Sequence, residues 1–326
     1  MLSRKGNYFH MQDLSRIHNT GDMKKFTIFF LLIIVLTFNA VCQEKSVIPI
    51  KMERNRTHMS VKIGDKVIPD IILDSGFHYD GLMIYNPSYL DSVDLTGAIQ
   101  VRIGGAGNGE AKTALMIDSA SFYLGQIEIK NHPVIMVQSD LYKGFPSNGI
   151  IGYSILGHFI TEFNYDNNTM TLYNSDNINV DESWTEIPLY FKDNNIPWID
   201  ASVVIEEEKP TSCAMYIDYA AGDAIVLLEK PDMKYFLPKE TSKTYIGRGL
   251  SGDIYGKTGN ISKLIIGPYE LNNVIASITS DDIRSKQKNA DAILGNGLFR
   301  RFNVIFDYSN NKLYLKPNTH FDEPFR

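Results

Sequence analysis

The chain has 326 residues, of which 44% are hydrophobic and 21% are charged, and its formal net charge is −6. This composition is typical of a globular protein, and the length suggests two domains of about 150 residues each. The acidic balance argues against nucleic-acid binding, which usually needs a basic surface. With only Cys42 and Cys213, a disulfide-rich scaffold and a four-cysteine zinc site are both excluded.

Residues 1–42 are predicted to be an N-terminal extension that ends in an export signal. Two lysines precede the apolar run Phe26–Phe38, and small residues follow it up to Cys42. A basic segment, about 7–15 apolar residues and a small-residue exit are typical of a secretory signal peptide. The run is shorter than the ~20 residues of a membrane span. We therefore expect an exported protein; lipidation of Cys42 and an uncleaved membrane anchor are the alternatives.

The chain after about residue 47 is predicted to be all-β. In segments such as Met59–Ile63 and Phe122–Ile129, apolar residues alternate with other residues, and Gly, Asn or Asp separates the runs. This alternation indicates strands with one buried face. Stretches with the helical period are scarce, and a short helix is also allowed by the sequence at Val226–Lys230 and at Ile293–Phe299.

An internal repeat divides this β-rich part of the chain into two related halves. Gly149–Tyr173 corresponds to Ala292–Leu315, since each segment passes from apolar residues and a glycine through a turn into two strands. Self-similarity at a fixed spacing indicates duplicated structural units. We therefore predict two similar lobes, residues 47–178 and residues 184–326.

In both halves an aspartate ends an apolar strand at a constant distance from a glycine. Gly152 lies 78 positions after Asp74, and Gly295 lies 77 positions after Asp218. A carboxylate in such a place is costly unless it is paired or hydrogen-bonded. If the halves face each other about a pseudo-twofold axis, the two aspartates meet at the centre. Two adjacent carboxylates share a proton, which provides a general base beside a general acid.

Asp74-Ser-Gly, the apolar pair before Gly152 and their echoes in the second half resemble the pepsin-like and retropepsin-like aspartic peptidases. The resemblance covers about residues 47–318 and is closest to exported bacterial members with both lobes in one chain. It implies a bilobal fold of two related closed β-barrel lobes with pseudo-twofold symmetry. It also implies a central cleft that binds an extended peptide or protein substrate.

The same resemblance assigns roles to individual residues. It implies that Asp74 and Asp218 activate water, with no cofactor and no metal. The residues implied to support this pair are Ser75, Gly76, Tyr219, Ala220, Gly152 and Gly295. The implied flap over the cleft carries Gly104, Gly105, Gly107 and Gly109. We expect a monomer that binds no nucleic acid and meets a membrane only if Cys42 is lipidated or the signal is uncleaved.

The second half departs from the family pattern, because Tyr219 and Ala220 follow Asp218 where Thr or Ser and then Gly are expected. The hydroxyl at that position normally bonds across to the other lobe, and a tyrosine hydroxyl lies too far out. Two functions therefore stay open: an aspartic endopeptidase, and a catalytically weakened peptide- or ligand-binding protein on the same fold. For either aspartate the structural alternative is a turn residue that caps the backbone.

Other reactive side chains are predicted to have structural roles. Four histidines lack ligand spacing, so no metal site is predicted: His58, His132, His158 and His320. We expect His78 to be a surface or hydrogen-bonding residue, and Cys213 to be a small buried hydrophobic residue.

Overall fold

The computed structural model describes residues 45–77, 79–139, 142, 145–192, 194–280, 282 and 289–325. These residues belong to one compact unit, and they are all-β as predicted. The predicted export signal and His78 lie outside the described residues. Within the described part of the chain, no helix combines the length and the hydropathy needed to cross a bilayer.

The described residues of the first half form eleven strands and two short helical turns. The strands are β1 (Lys45–Pro49), β2 (Lys51–Glu53), β3 (Arg56–Ile63), β4 (Lys66–Leu73), β5 (Leu82–Ile84), β6 (Ile99–Ile103), β7 (Lys112–Leu124), β8 (Ile127–Val137), β9 (Gly149–Ile151), β10 (Ile160–Asn164) and β11 (Thr169–Tyr173). A 3₁₀ helix covers Pro87–Ser92, and the one-turn helix α1 covers Tyr153–Leu156.

In the second half, the residues that the structure describes also form eleven strands. They are β12 (Thr185–Pro188), β13 (Tyr190–Phe191), β14 (Pro197–Val204), β15 (Thr211–Asp218), β16 (Ile225–Glu229), β17 (Thr241–Gly249), β18 (Gly252–Ile266), β19 (Tyr269–Ser280), β20 (Ala292–Gly295), β21 (Phe302–Asp307) and β22 (Lys312–Pro317). A one-turn helix, α2, covers Asn296–Phe299.

Two eight-stranded sheets repeat one topology. The first has the order β2-β3-β4-β9-β5-β8-β7-β6, and the second has the order β13-β14-β15-β20-β16-β19-β18-β17. Each strand of the first sheet has its counterpart at the same place in the second, and the extra pairings β3–β7 and β14–β18 also correspond. The repeat seen in the sequence is therefore present in the strand order.

A third sheet of six strands joins the two halves. Its order is β1-β11-β10-β21-β22-β12, so each half supplies three strands. The central pair, β10 and β21, is antiparallel, with Thr161 opposite Phe306 and Phe163 opposite Val304. Both phenylalanines are fully buried and pack edge to face with ring centroids 6.2 Å apart. The hydrophobic core is therefore continuous between the halves.

Equivalent turns in the two halves use the same kind of residue. Gly125 between β7 and β8 and Gly267 between β18 and β19 have φ of 59° and 53°. Asn168 before β11 and Asn311 before β22 have φ of 53° and 56°. Gly and Asn are the residues that adopt this left-handed conformation most readily. The turn residues therefore fix the same hairpins in both halves.

The two segments at which the sequence allowed a helix behave differently. Val226–Lys230 is not helical, because Ile225–Glu229 forms β16 between β19 and β20. Its first four residues are all buried, and a strand buried on both faces has no alternating pattern to reveal it. Ile293–Phe299 divides into the end of β20 and the single turn of α2.

Because the six-stranded sheet is shared, we expect neither half to fold alone. Residues 47–178 or 184–326 expressed separately would expose the backbone edge of β10 or β21 and the apolar surface beneath it. Size-exclusion chromatography and thermal unfolding followed by circular dichroism would show aggregates or a non-cooperative chain. Co-expression should restore a one-to-one complex with a cooperative transition. A monomeric half that unfolds cooperatively would contradict this expectation.

Candidate active site

Asp74 and Asp218 lie at equivalent strand ends. Asp74 follows β4, and its backbone N–H donates to the carbonyl of Ile151 at 2.8 Å. Asp218 is the last residue of β15, opposite Gly295 in the parallel pairing with β20. In both halves the aspartate therefore lies at the end of a strand. That strand pairs with the short strand that leads to the conserved-spacing glycine, β9 before Gly152 and β20 up to Gly295. Both side chains are half-buried, so they remain accessible from a cavity.

The two carboxylates meet at Gly76. A Cβ built on Gly76 would lie 3.1 Å from Asp74 Oδ1, 3.4 Å from Asp218 Cγ and 3.5 Å from Asp218 Oδ1. A side chain at position 76 would therefore contact both carboxylates, and glycine leaves this space open. Asp218 Oδ1 also accepts the N–H groups of Ala220 at 3.0 Å and Ala221 at 3.1 Å, which orients its carboxylate. The structure thus brings together the two residues that the sequence placed 144 positions apart.

Ser75 connects the two aspartate turns directly. Its hydroxyl donates to the carbonyl of Ile217 at 2.7 Å and accepts the N–H of Tyr219 at 3.0 Å. These two partners flank Asp218 in the chain. Ser75 is only 3% exposed, so no water competes for these groups. One hydroxyl from the first half therefore fixes the backbone on both sides of the aspartate of the second half.

Tyr219 supports the site through its backbone only. Its side chain is fully buried and its ring centroid lies within 5.4 Å of those of Phe163, Phe299 and Phe306. Burial, together with the neighbouring Tyr165, raises the pKa of Tyr219 well above its ordinary value, so its hydroxyl stays protonated. The tyrosine thus fills the core beneath the site instead of bonding back to the first aspartate turn.

The hairpin between β2 and β3 supplies two further links between the halves. Arg56 Nε donates to the carbonyl of Ala220 at 2.7 Å, and Asn55 Nδ2 donates to the carbonyl of Gly222 at 3.0 Å. Both bonds hold the turn that follows Asp218. Sequence reasoning missed these residues, because they lie outside the repeated motifs. The structure shows that Arg54 and Asn55 in this turn both have positive φ.

A buried triangle of polar side chains reinforces this link. The hydroxyl groups of Thr57 and Tyr165 are 3.0 Å apart. The Tyr165 hydroxyl donates to Asn296 Oδ1 at 3.1 Å, and Asn296 Nδ2 donates to Thr57 Oγ1 at 3.0 Å. Thr57 and Tyr165 belong to the first half, and Asn296 begins α2 of the second. All three residues are buried, so each polar atom depends on the other two.

Gly152 and Gly295 allow the aspartate turns to pack tightly. A Cβ on Gly152 would meet the carbonyl oxygen of Asp74 at 2.2 Å, and one on Gly295 would meet that of Asp223 at 2.3 Å. Real Cβ atoms do not approach so closely, so any other residue would displace the turn. The two glycines therefore hold equivalent places against the two aspartate turns.

Two hairpin tips close over the carboxylates. Residues 104–111, between β6 and β7, contain the four glycines of the expected flap. Residues 247–252, from the end of β17 to the start of β18, form the counterpart. Gly105 N–H donates to Ser251 Oγ at 3.1 Å, Gly109 N–H to the Ser251 carbonyl at 2.6 Å, and Ser251 N–H to the Ala106 carbonyl at 2.9 Å. Where the resemblance implied one flap, the structure has two tips in direct contact.

Two glycines of the tips, Gly107 and Gly252, also lie close together. A Cβ on Gly107, whose φ is 112°, would lie 2.7 Å from the backbone of Gly252. Tyr142 also reaches the second tip, donating its hydroxyl hydrogen to the Leu250 carbonyl at 2.9 Å. The glycines are thus required by close backbone packing as well as by turn geometry.

The tips and the aspartates enclose a cavity of about 230 Å³. Its walls are largely apolar and come from both halves: Phe77, Met83, Ile103, Ile196, Leu250 and Ile254. Arg56 and Arg248 also line it, together with the two carboxylates. Such a chamber, apolar with a few convergent charged groups, is typical of a ligand-binding site.

Of the remaining candidate residues, Cys213, His58 and His320 have structural roles, whereas His132 and His158 lie close together. Cys213 is buried as expected, and burial raises the pKa of its thiol to about 12. His58 is also buried, which lowers its pKa, and His320 pairs with Glu323 at 2.8 Å. The prediction that the histidines are scattered is wrong for His132 and His158, which share the carboxylate of Asp80. Segments distant in sequence bring them together, so residue spacing gave no signal.

No protein-family model matches the chain, and comparison with curated proteins finds no significant match. The chemistry of the site therefore has to be inferred from the residues and their geometry.

We expect Ser75→Ala to destabilise the protein by about 1–3 kcal/mol, because it leaves a buried carbonyl and a buried N–H without their partner. Urea unfolding monitored by tryptophan fluorescence measures the change. Ser60→Ala is the matched control, since Ser60 is exposed on β3. Equal stabilities of the two variants would contradict the bridging role of Ser75.

We expect Gly76→Ala to leave the fold intact and to disrupt the site, because the added methyl contacts both carboxylates. Misplacement of reacting groups by about 1 Å can cost about 100-fold in rate. The thermal midpoint should stay close to that of the wild type while cleavage or ligand binding falls. Ala220→Gly, at the corresponding place after Asp218, is the control and should retain function. Undiminished function in Gly76→Ala would show that the space over Gly76 is not used.

Proposed function

We propose that the protein is an aspartic-type endopeptidase. One observation carries this proposal: the aspartates of two repeated strand–turn motifs both border the space over Gly76, and both line one cavity. A structural role for the two aspartates does not require that they lie close together. Two neighbouring carboxylates that line one cavity are the arrangement that general acid–base hydrolysis requires.

The proposed fold is bilobal and pepsin-like, with two related lobes about a pseudo-twofold axis near Gly76. The identical strand orders of the two eight-stranded sheets support it, and so do the three strands that each half gives to the shared sheet. The resemblance of the Asp74-Ser-Gly motif adds to this support. In this fold the hairpin tips are a flap pair, and the apolar cavity between them is the substrate cleft.

In the proposed mechanism a water molecule lies between Asp74 and Asp218. The ionised carboxylate takes a proton from this water, whose oxygen forms a bond to the carbonyl carbon of the peptide. The protonated carboxyl gives its proton to the carbonyl oxygen, so a neutral tetrahedral diol forms. One carboxyl then protonates the amide nitrogen, the C–N bond breaks, and the other carboxylate takes a diol proton as the acid product forms.

The cavity indicates a preference for apolar side chains on both sides of the cleaved bond. Its walls carry Phe77, Met83 and Ile103 from one half and Ile196, Leu250 and Ile254 from the other. The contacts between Gly105, Gly109 and Ser251 have to open before a peptide enters, since they close the chamber. Closure around the substrate would then exclude bulk water from the reacting bond.

The binding-protein alternative rests on the second aspartate turn. Tyr219 replaces the hydroxyl that would mirror Ser75, so the dyad has one serine bridge where two are expected. The bonds from Arg56 and Asn55 hold the same turn in another way, which favours a rigid site and hence the enzyme. The two functions differ in whether a bound peptide is cut.

We expect the purified protein to cut peptides between apolar residues, with an optimum at acid pH because one carboxyl must be protonated while the other is ionised. Asp74→Asn and Asp218→Asn should each lower kcat by about 10²–10⁴-fold. Mass spectrometry of a peptide mixture, followed by a quenched fluorescent peptide with the preferred pair, measures both.

Asp65→Asn is the control for these variants, because Asp65 is an exposed aspartate in the β3–β4 turn. Cleavage that survives in Asp74→Asn would overturn the enzyme. Binding of apolar peptides without cleavage at any pH would support the binding protein instead.

A further inference from the structure

Three side chains that can bind a metal meet outside the cavity. Asp80 lies between β4 and β5, His132 lies on β8, and His158 follows α1. His158 Nε2 is 2.7 Å from Asp80 Oδ2, and His132 Nδ1 is 3.3 Å from Asp80 Oδ1. Each residue offers one ligand atom, and these three atoms all lie within 4.8 Å of one another. The imidazole rings are edge to face, with centroids 5.0 Å apart.

The cluster has a buried side and an open side. Asp80 Oδ1 is closed to solvent and accepts no hydrogen bond from the residues that the structure describes, although His132 stands beside it. The His132 side chain is 13% exposed, whereas that of His158 is 42% exposed. A buried carboxylate oxygen without a hydrogen bond is costly. A cation between the three side chains would satisfy this oxygen, and water could reach the cation from the side of His158.

The second half of the protein shows that the fold does not need these histidines. Leu82 pairs with Val134 as Ile225 pairs with Ala276, and α1 corresponds to α2. The counterparts of Asp80, His132 and His158 are therefore Asp223, Val274 and Arg301. Asp223 accepts a hydrogen bond from Ser277, and Arg301 binds backbone carbonyls of the C-terminal segment. The histidine pair is a property of the first half alone.

We propose that Asp80, His132 and His158 form a binding site for a divalent transition-metal ion, with Zn²⁺ the best suited. Zinc takes imidazole nitrogens and carboxylate oxygens at about 2.0–2.2 Å in a tetrahedron, whose ligand atoms are roughly 3.4 Å apart. The 3.3 Å between His132 Nδ1 and Asp80 Oδ1 is close to this edge. The 2.7 Å between His158 Nε2 and the other carboxylate oxygen, Oδ2, is a hydrogen-bond length, and it would lengthen when a metal binds. Three protein ligands leave the fourth position to water. Mg²⁺ and Ca²⁺ prefer oxygen ligands, so the two imidazoles select against them.

Such a metal would stabilise the loop that leads away from Asp74. Phe77 N–H donates to the Asp74 carbonyl at 3.1 Å, and Gly81 N–H donates to the Tyr79 carbonyl at 3.1 Å. Phe77 and Tyr79 both line the cavity. Through Asp80 the ion would fasten this loop to β8 and to the end of α1. The site therefore has a structural or regulatory role, and it does not depend on the proposed peptidase activity.

The test uses the purified full chain, free of affinity tag and treated with a chelator. We expect isothermal titration with zinc chloride to show one site per chain and zinc to raise the thermal midpoint, with no rise from Mg²⁺ at the same concentration. His158→Gln and His132→Gln should each weaken zinc binding at least about 100-fold. The matched control is His320→Gln, because His320 also pairs with a carboxylate but lies outside the cluster.

A second measurement separates loss of the ligand from loss of the fold. Co²⁺ in the wild type should give the visible absorption of a tetrahedral site, and His158→Gln should lose it while its circular dichroism is unchanged. His158 is exposed enough for this substitution to be tolerated. The proposal is overturned if the wild type binds no zinc, if His158→Gln binds zinc as tightly as the wild type, or if His320→Gln weakens binding equally.

Discussion

The hydroxyl of Ser75 is the interaction on which the geometry of this protein depends. It satisfies the Ile217 carbonyl and the Tyr219 N–H, which are buried on either side of Asp218. A buried polar group without a partner costs more than the net gain of an ordinary hydrogen bond. The second aspartate turn can therefore keep its conformation at low cost only while the first half is docked against it. Formation of the site and association of the halves are one event.

The two halves contribute unequally to this event. The first supplies hydrogen bonds, through Ser75 and through Arg56 and Asn55 in the β2–β3 hairpin. The second supplies aromatic packing, because Tyr219 lies between Phe163 and Phe299 beneath the carboxylates. The sequences of two duplicated halves can diverge in this way while the halves stay in contact. A hydrogen bond lost from one half can be offset by side-chain packing in the other.

The sequence was sufficient to predict the strands, the repeat and the pair of aspartates, because each repeats at a measurable spacing. Asp74 and Asp218 could be paired across the chain only because Gly152 and Gly295 follow them at nearly equal distances. β16 was ambiguous, since burial on both faces removes the alternation on which strand prediction relies.

Contacts between residues distant in sequence could not be predicted where they do not repeat in the two halves. Arg56 reaches Ala220 across 164 positions, and His158 reaches Asp80 across 78. Neither contact has a counterpart in the other half, so no internal comparison could reveal it. Local sequence fixes strands and turns, while the links between halves follow from the way that the sheets are brought together.

The two hairpin tips carry different side chains, so the two ends of the cavity are chemically different. Arg248 and Asp253 form an ion pair on the second tip, with Arg248 Nε 2.6 Å from Asp253 Oδ1. The corresponding place to Arg248 on the first tip is held by Gly105, which has no side chain. An assembly of two identical chains would present the same surroundings to a ligand in either orientation. Under the proposed function, an extended peptide would meet a charged group beside one tip and bare backbone beside the other, so the two directions in which it could lie would not be equivalent.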